Sequence, residues 1–267
     1  MAPVSRPLQA FLAAIFLACI AAGLLLYVEP KLSADFWPYN MKPLATRMFA
    51  SLFLGVGLAT ALALRERVWD SVEVLLVQGA SMFGLILLAA LINLPDLRLA
   101  KAGAVVWLAL FSSITLGCLV FLLKGGGRIS AKGGPLPALT PLPRPLKFLL
   151  WLHTALVVVF GVQMLAAPSL AEEFWPWKLP SIIVQGLGGL FLGTAVGTTW
   201  SATRKYWENV KVLFPAITTF VILVLIAVGI HWTVISRESP GVEVTALWLL
   251  VYVYAGGYPL YFYIRQP

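Results

Sequence analysis

The sequence predicts an all-α, polytopic membrane protein whose eight transmembrane helices form a tandem parallel repeat of two four-helix bundles. Its composition is 60% hydrophobic and only 11% charged, far from the roughly 45–50% and 25% of soluble domains. It contains eight apolar runs, each long enough to cross a hydrocarbon core of roughly 30 Å. The second half of the chain also repeats the first half at a constant offset.

A short aromatic motif marks the repeat. Phe36-Trp37-Pro38-Tyr39 recurs 138 positions later, from 36 to 174, as Phe174-Trp175-Pro176-Trp177. The same offset pairs Leu52-Phe53-Leu54-Gly55 with Leu190-Phe191-Leu192-Gly193, Pro30 with Pro168, and Trp69 with Trp207. We therefore predict a first four-helix repeat over 1–124, a linker over 125–145 and a second four-helix repeat over 146–267.

The apolar runs predict where the helices lie. They cover about 8–28, 44–64, 72–92, 104–123, 146–166, 182–201, 210–230 and 244–263. Backbone inside hydrocarbon must satisfy its own polar groups, which favours helices, and the runs lack the alternation of barrel strands. The first run has an internal copy at 146–166, which favours a retained helix over a cleaved signal peptide. Cys19 and Cys118 fall inside these runs, where we expect them to behave as small apolar residues.

The distribution of basic residues predicts the orientation. Twelve of the 19 Lys and Arg residues lie on the side that holds both termini, and the other seven share the opposite side with most of the acids. Positive residues favour the cytoplasm. We therefore expect a multi-pass protein of the cytoplasmic (inner) membrane, with both termini cytoplasmic and both Phe-Trp-Pro loops outside. The basic residues form no continuous basic face, so we expect no nucleic-acid partner.

The linker over 125–145 combines glycines, prolines and basic residues. Such a composition cannot pack a core, and its charges favour a position near anionic lipid. The alternative is an ordinary positive loop without specific lipid recognition.

The two aromatic loops are the first candidate binding region. Tryptophan and tyrosine favour the headgroup level of a membrane, so the loops are expected to be interfacial anchors. The alternative is a platform for an apolar ligand or a partner subunit. The candidate binding residues are Phe36, Trp37, Tyr39, Phe174, Trp175 and Trp177.

Small residues recur at every fourth position in the second helix of each repeat. This spacing places them on one face, where another backbone can approach closely. We predict helix packing at Gly55, Gly189, Gly193 and Gly197, and a central place for both helices. The alternative is a solute path lined by these glycines.

Groups that carry chemistry are sparse. No metal-ligand cluster, catalytic triad or nucleotide-binding motif is present in the sequence, so we expect no cofactor and no metal. His153 and His231 are expected at opposite membrane surfaces, as interfacial side chains too far apart to ligate one iron. Arg47 and Glu73 correspond to Gln185 and Lys211, so neither charge is common to the two repeats.

The order of helix, proline-terminated loop, helix with Leu-Phe-Leu-Gly, charged turn and two further helices resembles the DoxX-like group of small four-helix bacterial membrane proteins. It also resembles uncharacterised bacterial membrane proteins with a Phe-Trp-Pro loop. The resemblance implies a four-helix bundle, duplicated here, and assigns no functional residue.

Three functions remain open from the sequence. The first is a non-catalytic membrane protein, an accessory or structural subunit of a larger membrane complex, with membrane lipids as its other partners. The second is a transporter or channel for a small neutral or apolar solute. The third is binding of, or chemistry on, a lipid or quinone at the outer interface, where Asp35, Glu172 and Glu173 stand beside the aromatic residues.

Overall fold

The structure is a computed structural model that describes residues 3–33, 37–124 and 139–266. Its eight long helices are α1 (Arg6–Val28), α2 (Pro43–Glu66), α3 (Trp69–Ile92), α4 (Ala102–Leu123), α5 (Arg144–Ala166), α6 (Ser181–Thr203), α7 (Leu213–Ile230) and α8 (Val242–Arg265). Each is long and apolar enough to cross a membrane, which confirms the predicted all-α class and the eight spans. Phe36, Asp35 and most of the linker lie outside the described residues.

Local sequence explains the helix boundaries. Proline occupies the first turn of α1, α2 and α5, where its missing N–H has no helical partner to lose. The α2 helix ends at Glu66, and the next residue, Arg67, adopts a left-handed conformation with φ of 54°. Short helices Ala171–Phe174 and Trp232–Glu238 lie in the connections α5–α6 and α7–α8.

The long helices pack as two rows. Neighbouring helices are in contact in the order α1-α2-α7-α8 and in the order α4-α3-α6-α5. Each row contains two helices from each repeat. Replacing every helix by its equivalent in the other repeat converts one row into the other. The packing units therefore cross the repeat boundary, unlike two bundles that each contain one repeat. The physical reason is that the small-residue faces of α2 and α6 accept α7 and α3 of the other repeat.

Backbone contacts recur at the repeat offset. The N–H of Val4 donates to the carbonyl of Arg67 at 3.0 Å, and the N–H of Leu142 donates to the carbonyl of Lys205 at 2.8 Å. Both bonds lie at the end of the protein that carries the termini, which we call the terminal end. The opposite end, with the two Phe-Trp-Pro loops, is the aromatic end. These paired contacts are consistent with a duplicated plan.

Two ion pairs at the terminal end also obey the repeat offset. Lys211 Nζ lies 2.8 Å from Glu66 Oε1, and Arg204 Nη2 lies 3.4 Å from Glu73 Oε2. Positions 66 and 204 are equivalent, as are 73 and 211, but the signs are reversed between the pairs. Glu73 and Lys211 therefore share a role although their charges are opposite. Each forms an ion pair with a residue of the other repeat.

A further set of hydrogen bonds, also at equivalent positions of the two repeats, lies toward the aromatic end. Arg47 donates to the carbonyl of Tyr27 at 3.0 Å and contacts the His231 ring. At the equivalent positions, Gln185 donates to the carbonyl of Leu165 at 3.2 Å and accepts from the Asn93 amide. The hydrogen-bonding plan is thus common to both repeats, although only one version carries charge. Burial, and then the nearby Arg47 charge, lower the pKa of His231, which lies just beyond the end of α7.

Glu238 joins the loops at the aromatic end. Its carboxylate accepts from Lys42 Nζ at 2.7 Å and from the backbone N–H of Lys178 at 3.0 Å. Burial alone would raise the pKa of Glu238, but these two hydrogen bonds and the lysine charges outweigh it, so the pKa lies below its usual value. The carboxylate therefore holds the short helix before α8 against the connections that lead into α2 and α6.

Candidate functional site

A cavity of about 490 Å³ lies between the two helix rows. All eight long helices contribute side chains to its wall. It forms because the helices pack more closely within each row than between the rows. For example, α2 contacts α7 of its own row far more extensively than it contacts α3 of the other row. Its volume falls within the roughly 300–1,000 Å³ that is typical of small-molecule sites.

The cavity reaches the surface between α5 and α8. Three of its lining residues are largely exposed: Val159 by 65%, Leu247 by 60% and Phe174 by 52%. Val159 belongs to the aromatic half of α5, and Leu247 lies in the first turns of α8 at the same end. In a membrane these apolar side chains face lipid. We infer from these exposures that the cavity opens toward the hydrocarbon rather than toward water.

An aromatic cluster from the second repeat forms part of the cavity wall. Trp175 and Trp177 each meet the Trp248 ring edge-on, with centroids 5.7 and 5.4 Å apart. Trp248 in turn stacks on Tyr252 at 3.9 Å. Trp175, Trp248 and Tyr252 line the cavity, whereas Trp177 lies behind them and is only 1% exposed.

The first repeat builds the same cluster away from the cavity. Trp37 and Tyr39 meet the Trp107 ring at 6.0 and 6.5 Å, and Trp107 stacks on Phe111 at 4.0 Å. None of these four residues belongs to the cavity wall. Burial raises the pKa of Tyr39 to about 12.

The expected role of the loop aromatics as interfacial anchors is wrong for four of the six residues. Trp37, Tyr39, Trp175 and Trp177 are buried in the protein, and Phe174 alone among the described members is exposed. The loop rings turn inward because a tryptophan on the fourth helix of each repeat offers them an edge-to-face partner.

The sequence comparison missed those fourth-helix partners. Trp107 corresponds to Trp248, and Phe111 to Tyr252, at an offset of 141 rather than 138. The segment between the end of α7 and Trp248 is three residues longer than the segment between the end of α3 and Trp107, which produces this shift. A gapped alignment would have found a tryptophan followed four residues later by an aromatic residue in both helices.

Several hydrogen-bond donors in the second-repeat part of the cavity have no partner within the described ranges. They are Tyr252 Oη, Gln163 Nε2, and the indole N–H groups of Trp175 and Trp248, all of them buried. Tyr254 also lines the cavity, but its hydroxyl donates to the carbonyl of Leu149 at 2.9 Å. Buried donors are normally paired. The indole N–H groups of Trp37 and Trp107 in the equivalent first-repeat cluster also lack a partner within the described ranges, so Tyr252 Oη and Gln163 Nε2 are the donors that distinguish the second repeat.

The two histidines occupy different environments. His153 is buried in α5 and lines the cavity, with its ring 6.4 and 5.8 Å from the rings of Tyr254 and Tyr258. The expectation of an interfacial position is therefore wrong for His153, because α8 covers it. His231 lies at the aromatic end beside Arg47. Among the described residues no group of three His, Cys, Asp or Glu could hold a metal ion.

The predicted packing glycines lie at close helix contacts. A Cβ on Gly193 would be 2.2 Å from Met82 Cα, and one on Gly189 would be 2.8 Å from the backbone N of Ile86, both on α3. A Cβ on Gly197 would meet Gln78 on the same helix. Gly55 faces α7 and is the one member of the four in the cavity wall, so these glycines do not line a continuous path.

The wall can accommodate a neutral, apolar molecule. No Asp, Glu, Lys or Arg occurs among the described residues that line the cavity. An ionic group placed there would lack a counter-charge at a depth where charge is costly. Cys19 and Cys118 are buried and free, and Cys118 contributes to the same apolar wall.

A scan against protein-family models, a search of curated proteins and a search of solved structures each found no match to this chain. The resemblance to the DoxX-like group therefore stays a prediction.

Proposed function

We propose that this integral membrane protein is a non-catalytic binding protein that takes an apolar molecule from the lipid into the cavity between its helix rows. The observation that carries the proposal is the lateral opening between α5 and α8. A membrane-soluble molecule can enter there without crossing a polar surface. Binding of this kind serves either storage and presentation of the molecule or its transport.

The cavity chemistry supports this function over the other candidates. Its wall is apolar, without a charged side chain among the described residues, which suits a hydrocarbon body and disfavours an ion or a sugar. A solute path along the small-residue faces is not favoured, because Gly189, Gly193 and Gly197 are occupied by packing against α3.

A matched pair of variants tests the proposal. Val157 lines the cavity, whereas Val158, the next residue of α5, does not line it and is partly exposed. We expect the purified protein to carry an apolar molecule that native mass spectrometry detects. Val157→Trp should fill the site and lose this molecule, and Val158→Trp should keep it.

The proposal is overturned if the wild-type protein carries no apolar molecule and none can be loaded. It is also overturned if both variants retain the same molecule at the same occupancy, because binding would then lie elsewhere on the protein.

We further propose that the protein lies in the cytoplasmic membrane with its terminal end in the cytoplasm. The excess of Lys and Arg at that end supports this orientation. A membrane-impermeant maleimide should label Arg98→Cys in intact cells and Lys205→Cys only after lysis. The native cysteines are buried and give little background. The reverse labelling pattern would invert the orientation.

An accessory subunit of a larger complex remains a separate prediction. Extraction in mild detergent followed by native electrophoresis tests it. Stoichiometric co-migration with other chains would support it, whereas migration of the chain alone would leave ligand binding as the whole function.

A further inference from the structure

We propose that the aromatic end of the cavity binds a neutral oxygen acceptor, a carbonyl or ether group, on the apolar molecule through Tyr252 and Gln163. This inference rests on the proposed function and adds the chemical class of the ligand. The molecule is a neutral amphiphile whose polar group lies near the lateral opening and whose hydrocarbon body fills the rest of the cavity.

The first observation is the state of the two donors. Tyr252 is only 6% exposed, and its hydroxyl has no hydrogen-bond partner within the described ranges. Gln163 Nε2 is likewise buried without a partner there, and both residues line the cavity. A buried donor without an acceptor is unfavourable, because it loses its hydrogen bond to water. An acceptor on a ligand would restore that bond.

The second observation comes from the first repeat, which serves as an internal control. Phe111 occupies the position of Tyr252 in the equivalent stack, and Leu25 occupies the position of Gln163. The first-repeat stack is buried without a hydroxyl at position 111, and the apolar Leu25 is 50% exposed. The fold therefore does not require a hydroxyl or an amide at these positions. Their presence in the second repeat, the one that opens to lipid, indicates a role in binding.

The third observation is their place relative to the opening. Val159 at the opening lies four residues before Gln163 on α5, so the two are neighbours on one helix face. Leu247, also at the opening, directly precedes Trp248, on which Tyr252 stacks. Each donor thus lies about one helical turn from an exposed residue of the opening, on the two helices that border it. The cavity continues toward His153, ten residues or roughly 15 Å further along α5.

The available partners restrict the acceptor to a neutral one. Phenol, amide and indole groups donate hydrogen bonds but supply no positive charge. A carboxylate or phosphate would require a cation, and the described lining residues include none. Two sources share the remaining chemistry: the ester carbonyls of a neutral glycerolipid and the ring carbonyls of an isoprenoid quinone.

The test uses the full-length protein in nanodiscs and two photoreactive probes of equal length. One probe is a diazirine-bearing long-chain methyl ketone, and the other is the corresponding hydrocarbon. Labelled residues are mapped by mass spectrometry. The variants Tyr252→Phe and Gln163→Leu introduce the first-repeat residues, and Tyr261→Phe, at an exposed tyrosine of the same helix, is the control.

We expect the ketone to label the cavity more strongly than the hydrocarbon in the wild type and in Tyr261→Phe. Each of the two site variants should weaken ketone labelling about five- to tenfold, as expected for one lost hydrogen bond. Labelling by the hydrocarbon should not change. Competition by dioctanoylglycerol would assign a glycerolipid ester, and competition by decylubiquinone would assign a quinone.

Equal labelling by ketone and hydrocarbon, unaffected by either site variant, would overturn the inference while leaving an apolar binding site intact. Absence of cavity labelling by both probes in the wild type would instead refute the proposed function, and the inference with it. Gel filtration of each variant separates these outcomes from misfolding.

Discussion

Reversing one ion pair at the terminal end should be tolerated, although reversing either of its residues alone should not. The pair is Glu66 and Lys211, 2.8 Å apart. The double variant Glu66→Lys with Lys211→Glu places a cation at position 66 and an anion at position 211. The protein already uses that arrangement at the equivalent positions, where Arg204 faces Glu73.

The expected loss of stability in a single variant follows from the partial burial of the ion pair. The side chains of this pair are 25% and 29% exposed, so they interact in an environment between water and the protein interior. At about 4 Å, two unit charges interact by about 1 kcal/mol in water and about 4 kcal/mol at an effective dielectric constant of roughly 20. Lys211→Glu turns attraction into repulsion, so a cost of roughly 2–4 kcal/mol is expected. For a chain of this length that corresponds to a fall in Tm of about 5–10 °C.

The assay is thermal unfolding of the full-length protein in one detergent, followed by size-exclusion chromatography of the heated sample. Both single reversals should lower Tm, and the double reversal should recover most of the loss. Lys205→Glu, at an exposed position of the same end, is the control for the change in net charge. A double variant no more stable than the worse single variant would refute the reasoning, as would a Lys205→Glu effect equal to that of Lys211→Glu.

Three further predictions test other contacts. Gly193→Ala should prevent correct folding because its Cβ would overlap the α3 backbone, whereas Gly229→Ala, with no atom within 4 Å of the new Cβ, should fold normally in a gel-filtration assay. The pKa of Glu238 lies below its usual value of 4.5, so its stabilisation should be complete above that pH and be lost as the pH falls further. The Tm of Glu238→Gln should lack this pH dependence. Arg47→Gln combined with His231→Asn should retain most of the wild-type Tm, because the other repeat uses that neutral pair, whereas Arg47→Leu should lower Tm by leaving a carbonyl unpaired.

Sequence reasoning identified the helices because an apolar run of about 20 residues has few alternatives in a membrane. It could not identify the partners of each helix. The small-residue faces of α2 and α6 predicted a close neighbour, but any apolar helix could have been that neighbour. Only the structure shows that α7 and α3 of the other repeat take these places.

The candidate site shows a similar limit. Trp175 was a candidate binding residue and does line the cavity, whereas Trp37, its equivalent, does not. Nothing in the motif distinguishes them, because the difference depends on which repeat opens to lipid. Tyr252 and Gln163 were missed as site residues, since an isolated polar residue in an apolar helix often pairs with a neighbouring backbone.

Differences between the repeats fall into two groups, and the distinction bears on function. At packing positions a change in one residue is accompanied by a change in its partner. The charge at position 66 is reversed relative to the equivalent position, and so is the charge of its partner at position 211. Likewise, the arginine at position 47 pairs with a histidine at position 231. At the cavity, Tyr252 and Gln163 gain polar groups relative to their first-repeat equivalents, yet no described residue supplies an acceptor. Selection for folding alone would favour an acceptor beside each new donor or an apolar residue in its place. An acceptor that arrives from the membrane, as proposed above, would supply the missing bond.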